Sequence, residues 1–245
     1  VKAIFISDVH LRDISESNSS LLLLFFSSIA EDPSFTHLFL VGDIFDLWIG
    51  NHTFFIERFR PIINAIKKCT ENTEVHYFEG NHDLYLKSYW QNTVGVTVHE
   101  EPKNFQLGSW NVRVEHGDQM NPEDRGYLWL RWFLRTPLIK VVQKILPGAL
   151  IHRIGARASQ VSEHHRDPWS NETSEKIVAF TRRHAEKVSQ TNSFQWMISG
   201  HTHVKDHFEF LSQGKKRVSI NLGSWANGPV CFLLDEEQGV FLDKI

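Results

Sequence analysis

Short apolar runs recur along the chain, and their spacing alternates between two periods. Ile4–Ser7, His37–Val41 and Val75–Glu79 are brief, β-branched or aromatic, and read as strands. Between them, Ser19–Ala30 and a stretch near Phe54–Lys68 are long enough for covered helices. A β-α-β-α-β order of this kind predicts parallel strands joined by crossover helices. Phe105–Leu107 and Trp110–Glu115 alternate around Gly108-Ser109 and predict a hairpin. Phe194–Ser199 is a further strand. Phe208–Leu211, Arg217–Leu222, Val230–Leu234 and Val240–Leu242 then read as an antiparallel run. Two mixed sheets packed face to face, with helices outside, accommodate this order.

One stretch departs from the alternation. From Asp124 to about Asn192 the pattern is mainly helical, cut by Thr136-Pro137 and Pro147-Gly148 into short pieces. From Arg125 to Arg157 it carries Arg125, Arg131, Arg135, Lys140, Lys144, Arg153 and Arg157 and no acidic residue. Trp129, Trp132, Phe133 and Leu134 interleave with these cations. The segment is expected to form a helical cap, with 124–192 inserted into one domain spanning 1–245. Basic stems and apolar rings of this kind suit a substrate, or a surface, with an anionic part and a greasy part.

Composition changes little. Of 245 residues 41% are hydrophobic and 22% charged, as in ordinary globular proteins, and the formal charge of −3 gives no general attraction to nucleic acid. Cys69 and Cys231 are too few for a disulfide framework, so both are expected to be buried small hydrophobes in a reducing cytosol. No secretory signal precedes Lys2–Ile6, and no apolar run is long enough to span a bilayer.

The chemistry lies at the strand ends. Asp8-Val9-His10, Gly42-Asp43, Gly80-Asn81-His82-Asp83, His116-Gly117-Asp118 and Gly200-His201-Thr202-His203 each follow an apolar run. In parallel sheets, ligands collect beyond the carboxyl ends of the strands, which groups these motifs in space. Asp, Asn and His together offer the oxygen and imidazole donors that two adjacent divalent cations take up. Such a pair activates water and clamps phosphoryl oxygens. Gly42 lets the backbone come close to the site. Asp43, with two carboxylate oxygens, is the candidate to reach both ions, while Asn81 adds a neutral oxygen and His116, His201 and His203 add imidazole nitrogens.

Taken together, Asp8/His10, Asp43, Asn81-His82, His116 and His201/His203 resemble the motif set of the calcineurin-like metallophosphoesterases. The resemblance runs from residue 4 to residue 222 and implies a four-layer αββα sandwich of two mixed sheets. It implies that Asp8, His10 and His203 hold one metal and that Asn81, His116 and His201 hold the other, with Asp43 bridging. Mn²⁺ is the metal the family suggests, with Fe or Zn also compatible with the donors. His82 would face the phosphate, stabilising charge or protonating the leaving oxygen. Asp83 would orient that imidazole or cap a following helix.

Within the family, three segments resemble the branch that hydrolyses UDP-2,3-diacylglucosamine in lipid A synthesis. They are Asp43-Ile44-Phe45-Asp46-Leu47-Trp48-Ile49-Gly50, His116-Gly117-Asp118 with Asp124-x-Gly126-Tyr127, and Leu222-Gly223-Ser224-Trp225. That likeness implies a UDP-linked acylated sugar as substrate, with Asp124, Tyr127, Arg131, Trp132, Arg135 and Arg157 as its contacts. It also implies a cytoplasmic enzyme touching the inner membrane peripherally, with no nucleic-acid partner. One position departs: His82 stands where the best-known members of that branch carry Arg. A phosphodiesterase for other nucleotides or small phosphodiesters is therefore the alternative expectation, whereas a non-enzymatic scaffold would not keep the full donor set.

Overall fold

The computed structural model of the chain describes residues 1–155 and 174–243. Its strands are β1 (Ala3–Ile6), β2 (His37–Leu40), β3 (Trp48–Ile49), β4 (Glu74–Phe78), β5 (Asp83–Leu84), β6 (Thr97–His99), β7 (Lys103–Leu107), β8 (Trp110–Val114), β9 (Trp196–Ser199), β10 (Asp206–Ser212), β11 (Lys215–Asn221), β12 (Cys231–Leu234) and β13 (Gly239–Leu242). The larger sheet has the order β13-β12-β1-β2-β4-β6, and a second has β10-β11-β9-β8-β7. Both are mixed. β1, β2, β4 and β6 are parallel neighbours and β12 is antiparallel to β1. In the second sheet β8, β9 and β11 run parallel between antiparallel edges.

The period-2 alternation of β1 assigns its two faces. Ala3 and Phe5 point to the second sheet and join Phe39, Val41, Val112, Val114, Ile198 and Ile220 in the inter-sheet core. Phe5 and Phe39 stack across the strand pair with ring centroids 4.5 Å apart. Ile4 and Ile6 point the other way, onto helices α1 (Ser17–Glu31) and α3 (Arg60–Cys69). Leu22, Phe25, Phe26 and Ile29 of α1 recur at helical spacing and are buried. Helix α6 (Ser174–Ser189) covers the outer face of the second sheet, where Ala185 packs with Met197 and Phe194. The layers are thus helix, sheet, sheet, helix.

Two sequence expectations change. The single helix expected near Phe54–Lys68 is two, α2 (Thr53–Arg58) and α3. Pro61 lies in the first turn of α3, where its missing N–H costs nothing, and the chain breaks at Phe59. The expected antiparallel run after Phe208 is really two hairpin pairs in different sheets, β10–β11 and β12–β13. Both runs are apolar enough to be buried, so periodicity alone did not say which sheet each joins.

In the 124–192 segment, α4 (Arg125–Leu134) and α5 (Pro137–Ile145) are followed by helix over 148–155. Arg157 lies outside the described residues. No helix among the described residues is long and apolar enough to cross a membrane.

Cys69 and Cys231 are buried and unpaired, and burial pushes each thiol up to about 12. Because the unfolded state ionises first, their contribution to stability holds below pH 9 and declines as pH rises from 9 towards 12. Neither thiol should react with a thiol-specific reagent in the native protein at pH 8, and both should react in denaturant. Stoichiometric labelling without denaturant would contradict this burial.

Candidate metal centre

β1, β2 and β4 run parallel and end at one edge, and the loops leaving them bring Asp8, Asp43 and Asn81 together. Seven described non-glycine residues have positive φ, and five are Asp8, His10, Asp43, His201 and His203. Left-handed backbone costs an L-residue about 1–2 kcal/mol. Its concentration at these motifs marks a site where surrounding structure imposes the conformation.

Two groups of donors result. In the first, His10 Nε2 lies 3.1 Å from His203 Nε2, and Asp8 Oδ1 is 3.4 Å from His203 Nε2 and 3.9 Å from His10 Nε2. In the second, the Asn81 Oδ1 atom is 3.1 Å from His116 Nε2 and 3.0 Å from His201 Nδ1. Asp43 joins them: its Oδ2 is 3.4 Å from His116 Nε2 and 4.0 Å from His10 Nε2. All seven predicted donors therefore converge, in two groups that meet at Asp43.

The donor chemistry fits divalent cations. His116 donates Nδ1–H to the Val41 carbonyl at 2.9 Å, which turns Nε2 into the site. Asp8 uses Oδ2 to accept from the His201 backbone N–H at 2.9 Å, while its buried Oδ1 has no hydrogen-bond partner. An orphaned carboxylate oxygen facing two imidazoles is costly unless a cation answers it. Burial lowers His10 to about 4, and burial followed by His116 lowers His201 to about 4, so both rings are neutral at pH 7, the form a metal ligand requires. Burial opposes ionisation of Asp43, but His116 and His82 hold its carboxyl well below the usual range. Burial likewise opposes charge on His116, and Asp43 overrides it, shifting that ring upward. A cation would displace that proton, because ligation needs the neutral ring.

Neighbouring contacts hold this geometry. His82 donates its backbone N–H to Asp43 Oδ1 at 2.9 Å, and its Nδ1 is 2.7 Å from the Asp46 carbonyl. The His82 ring meets the His10 ring edge-on, with centroids 4.8 Å apart. Asp83 neither orients that ring nor caps a helix. Buried, it accepts from Ile44 N at 3.2 Å, Gly80 N at 2.6 Å and Tyr77 Oη at 2.7 Å, tying two motif loops together. The sequence reading missed Asp46, Asn221 and Ser224. Asn221 Nδ2 donates to the Gly200 carbonyl at 2.8 Å and Ser224 Oγ to the Asp8 carbonyl at 3.0 Å. Asp46 and Ser224 lie inside the segments 43–50 and 222–225 noted above and Asn221 just before the latter, and that was their one sequence signal.

The substrate candidates behave differently. Asp124 caps α4, accepting from Tyr127 N at 2.9 Å. Tyr127 donates its hydroxyl to Asp118 Oδ2, and its ring centroid is 6.4 Å from that of His201. Arg131 Nε donates to Asp118 Oδ2 at 3.0 Å, and Nη2 donates to the Glu100 carbonyl at 3.1 Å and Glu101 Oε1 at 3.2 Å. Arg135 Nη2 donates to Glu79 Oε2 at 3.3 Å. The Arg131 guanidinium is thus committed to the body of the protein, whereas Arg135 is tethered through Nη2 alone and its buried Nε has no hydrogen-bond partner. Trp132 is 64% exposed and Trp129 60%, the latter stacked on Phe133 at 5.3 Å.

A Cβ on Gly80 would collide with the Asp43 carboxylate and stand 2.8 Å from the Asp43 backbone nitrogen. A Cβ on Gly42 would meet the His116 ring. Gly80→Ala should therefore lose bound divalent metal while keeping native far-UV circular dichroism. Full metal content measured by mass spectrometry would show that Asp43 tolerates the displacement.

A sequence profile described as Calcineurin-like phosphoesterase matches residues 1–205. A UDP-2,3-diacylglucosamine hydrolase of Enterobacter sp. (strain 638) is 25% identical over 228 residues, covering 91% of this chain and 90% of its own. The hydrolase of the same name from Coxiella burnetii (strain RSA 331 / Henzerling II) is 26% identical over 227 residues, covering 92% and 90%. Among solved structures, an archaeal phosphodiesterase aligns over 99% of this chain and 100% of its own at 12% identity, with a TM-score of 0.49. Because the profile spans most of the chain and every motif from Asp8 to His203, the chain belongs to the calcineurin-like phosphoesterase family of metal-dependent phosphoester hydrolases.

Proposed function

We propose that the chain hydrolyses the diphosphate of UDP-2,3-diacylglucosamine, releasing UMP and 2,3-diacylglucosamine 1-phosphate. The observation that carries this reading is the placement of a greasy helical cap directly beside the two donor groups. Tyr127, Arg131 and Arg135 strap α4 against Asp118, Glu101 and Glu79, next to His116 and Asn81. Nine of the twelve exposed large hydrophobics among the described residues lie between Trp129 and Ile154. The relatives named for this substrate, matched over some nine-tenths of their length, support the same reading.

In this reading Asp8, His10 and His203 hold one cation, Asn81, His116 and His201 hold the other, and Asp43 reaches both. The two ions, Mn²⁺ foremost, supply Lewis acidity toward the phosphoryl oxygens and a nucleophilic water near neutral pH. Water adds to the uridine-side phosphorus, the bond from that phosphorus to the bridging oxygen breaks, and the sugar phosphate leaves with its electrons. His82 donates Nδ1–H to the Asp46 carbonyl, so Nε2 is the atom that can take up the proton shed by the attacking water and pass it to the departing oxygen. Tyr127, Arg131 and Arg135 position the cap, with Asp124 ending its first helix. Trp132, with Trp129, takes the acyl chains, and Arg157 remains a candidate contact. Of the 124–192 insertion expected to be cap, α6 packs on the second sheet instead, so it is α4, α5 and the helix over 148–155 that bring the enzyme to the cytoplasmic face of the inner membrane in this reading.

His82 itself favours a second reading, a phosphodiesterase for soluble nucleotide or small phosphodiester substrates. An imidazole moves protons, whereas the Arg of the best-known diphosphatases supplies fixed charge.

Mn²⁺-loaded protein should release UMP from UDP-2,3-diacylglucosamine rapidly and cleave bis(p-nitrophenyl) phosphate slowly; diester cleavage without UMP would replace the first reading by the second. His82→Ala should keep both metals and lose about 10²–10⁴-fold in kcat. Loss of the ions in that variant would make His82 a ligand instead. Replacing Trp129 and Trp132 with Ser should raise KM for the acylated substrate and spare the soluble diester. Equal losses on both substrates would assign these rings to packing.

A further inference from the structure

A second set of ligand-type side chains sits at the opposite edge of the larger sheet. His37 and Glu74 are the first residues of β2 and β4 and are register partners, and His76 lies two residues along β4 on the same face as Glu74. The proposed catalytic donors lie beyond the other ends of these strands. Asp43 is six residues past His37, roughly 20 Å at about 3.3 Å per residue.

Three atoms converge here. His76 Nε2 is 3.2 Å from Glu74 Oε1, and His37 Nε2 is 3.6 Å from Glu74 Oε2. One nitrogen from each ring and one carboxylate oxygen all lie within 4.8 Å of one another. Ligands held about 2.0–2.1 Å from a tetrahedral Zn²⁺ stand roughly 3.3–3.4 Å apart, so each imidazole is already near such a spacing from one oxygen of the carboxylate, and the three groups lie close enough to close on one ion.

The imidazoles are also prepared for this role. Thr36 Oγ1 gives its only proton to the Lys2 carbonyl at 3.1 Å, so it must accept from His37 Nδ1–H at 2.9 Å. His37 Nε2 is therefore a bare lone pair. His76 Nδ1 faces His99 Nε2 at 3.1 Å, and its Nε2 is buried with no hydrogen-bond partner although a carboxylate oxygen is close. His37 thus has its far nitrogen fixed by Thr36, the outer support that metal-binding histidines carry, and His76 has the His99 ring against its own far nitrogen. Burial lowers His76 to about 3 and shifts His37 down, which keeps both rings neutral. Glu74 is 62% exposed, leaving room for water to complete the shell.

We propose that His37, Glu74 and His76 form a separate Zn²⁺ site that staples the first residues of β2 to those of β4. Two neutral imidazoles and one carboxylate are a borderline-soft set that suits Zn²⁺ better than Mg²⁺ or Ca²⁺.

The test is equilibrium dialysis of the full chain against Zn²⁺, with metal counted by plasma mass spectrometry. Asp8→Ala/Asp43→Ala removes the proposed catalytic ions, so the measurement does not depend on the phosphohydrolase reading. That background should keep one Zn²⁺ per chain, and adding Glu74→Ala should weaken its binding at least tenfold. The half-exposed position makes Glu74→Ala a mild change for folding, to be checked by circular dichroism. With Co²⁺ in place of Zn²⁺, the background should show tetrahedral d–d absorption that the Glu74→Ala addition abolishes. Equal Zn²⁺ content with and without Glu74→Ala, in otherwise native proteins, would overturn the site. In the chain with Asp8 and Asp43 intact, Glu74→Ala should leave hydrolysis of bis(p-nitrophenyl) phosphate within twofold.

Discussion

Burial of the Asp43 carboxylate is the constraint around which the structure is arranged. It is 1% exposed at the meeting point of both sheets, where an uncompensated charge would be prohibitive. Its Oδ1 accepts the His82 backbone N–H and its Oδ2 faces His116. Gly80 packs against it so closely that no side chain fits there. The residue adopts φ +54, and the loop after β2 turns sharply to deliver it. Strain, lost side-chain volume and buried charge all concentrate there, where a local sequence preference would avoid them.

The rest of the fold makes that concentration tolerable. The inter-sheet core of Phe5, Phe39, Val112, Ile198 and Ile220 holds two mixed sheets face to face. Their strand ends therefore arrive at one place with little freedom. Asp83, Asn221 and Ser224 then tie the loops to each other through buried hydrogen bonds. Asp83 satisfies the Ile44 N–H, while Asn221 and Ser224 add a second donor to the Gly200 and Asp8 carbonyls, which also accept from Thr202 N and Trp225 N. The cap is attached by a different kind of contact, carboxylate to guanidinium or phenol, along one side of α4. Polar anchoring on one side leaves Trp129 and Trp132 facing outward, the arrangement on which the proposed acyl-chain role depends.

Cation-ready geometry occurs at both ends of β2 and β4, for different reasons. At the carboxyl ends, loops carrying left-handed residues turn carboxylates and imidazoles inward. At the amino ends, strand register alone sets His37 opposite Glu74, and pleating puts His76 on the same face. The first needs strained backbone and glycines; the second needs only regular β-structure.

Much was legible from the chain. The β-α-β-α-β order, the hairpin at Gly108-Ser109 and the five motifs at strand ends follow from local periodicity, and local periodicity is what a sequence records directly. Asp8, His10, Asp43, Asn81, His116, His201 and His203 could be named because each sits just past an apolar strand. Other features required the packed structure. The partition of β10–β11 and β12–β13 between two sheets depends on which buried face each run finds. Asp83 as a tie between loops, and Arg131 and Arg135 as anchors of α4, depend on partners 39, 13 and 56 residues away. The sequence by itself determined the candidate donors and the strands that carry them, because both are encoded within a few residues. Only the tertiary structure decided which charges are already answered and which are left to a ligand, because that balance is struck between residues distant in the chain and adjacent in space.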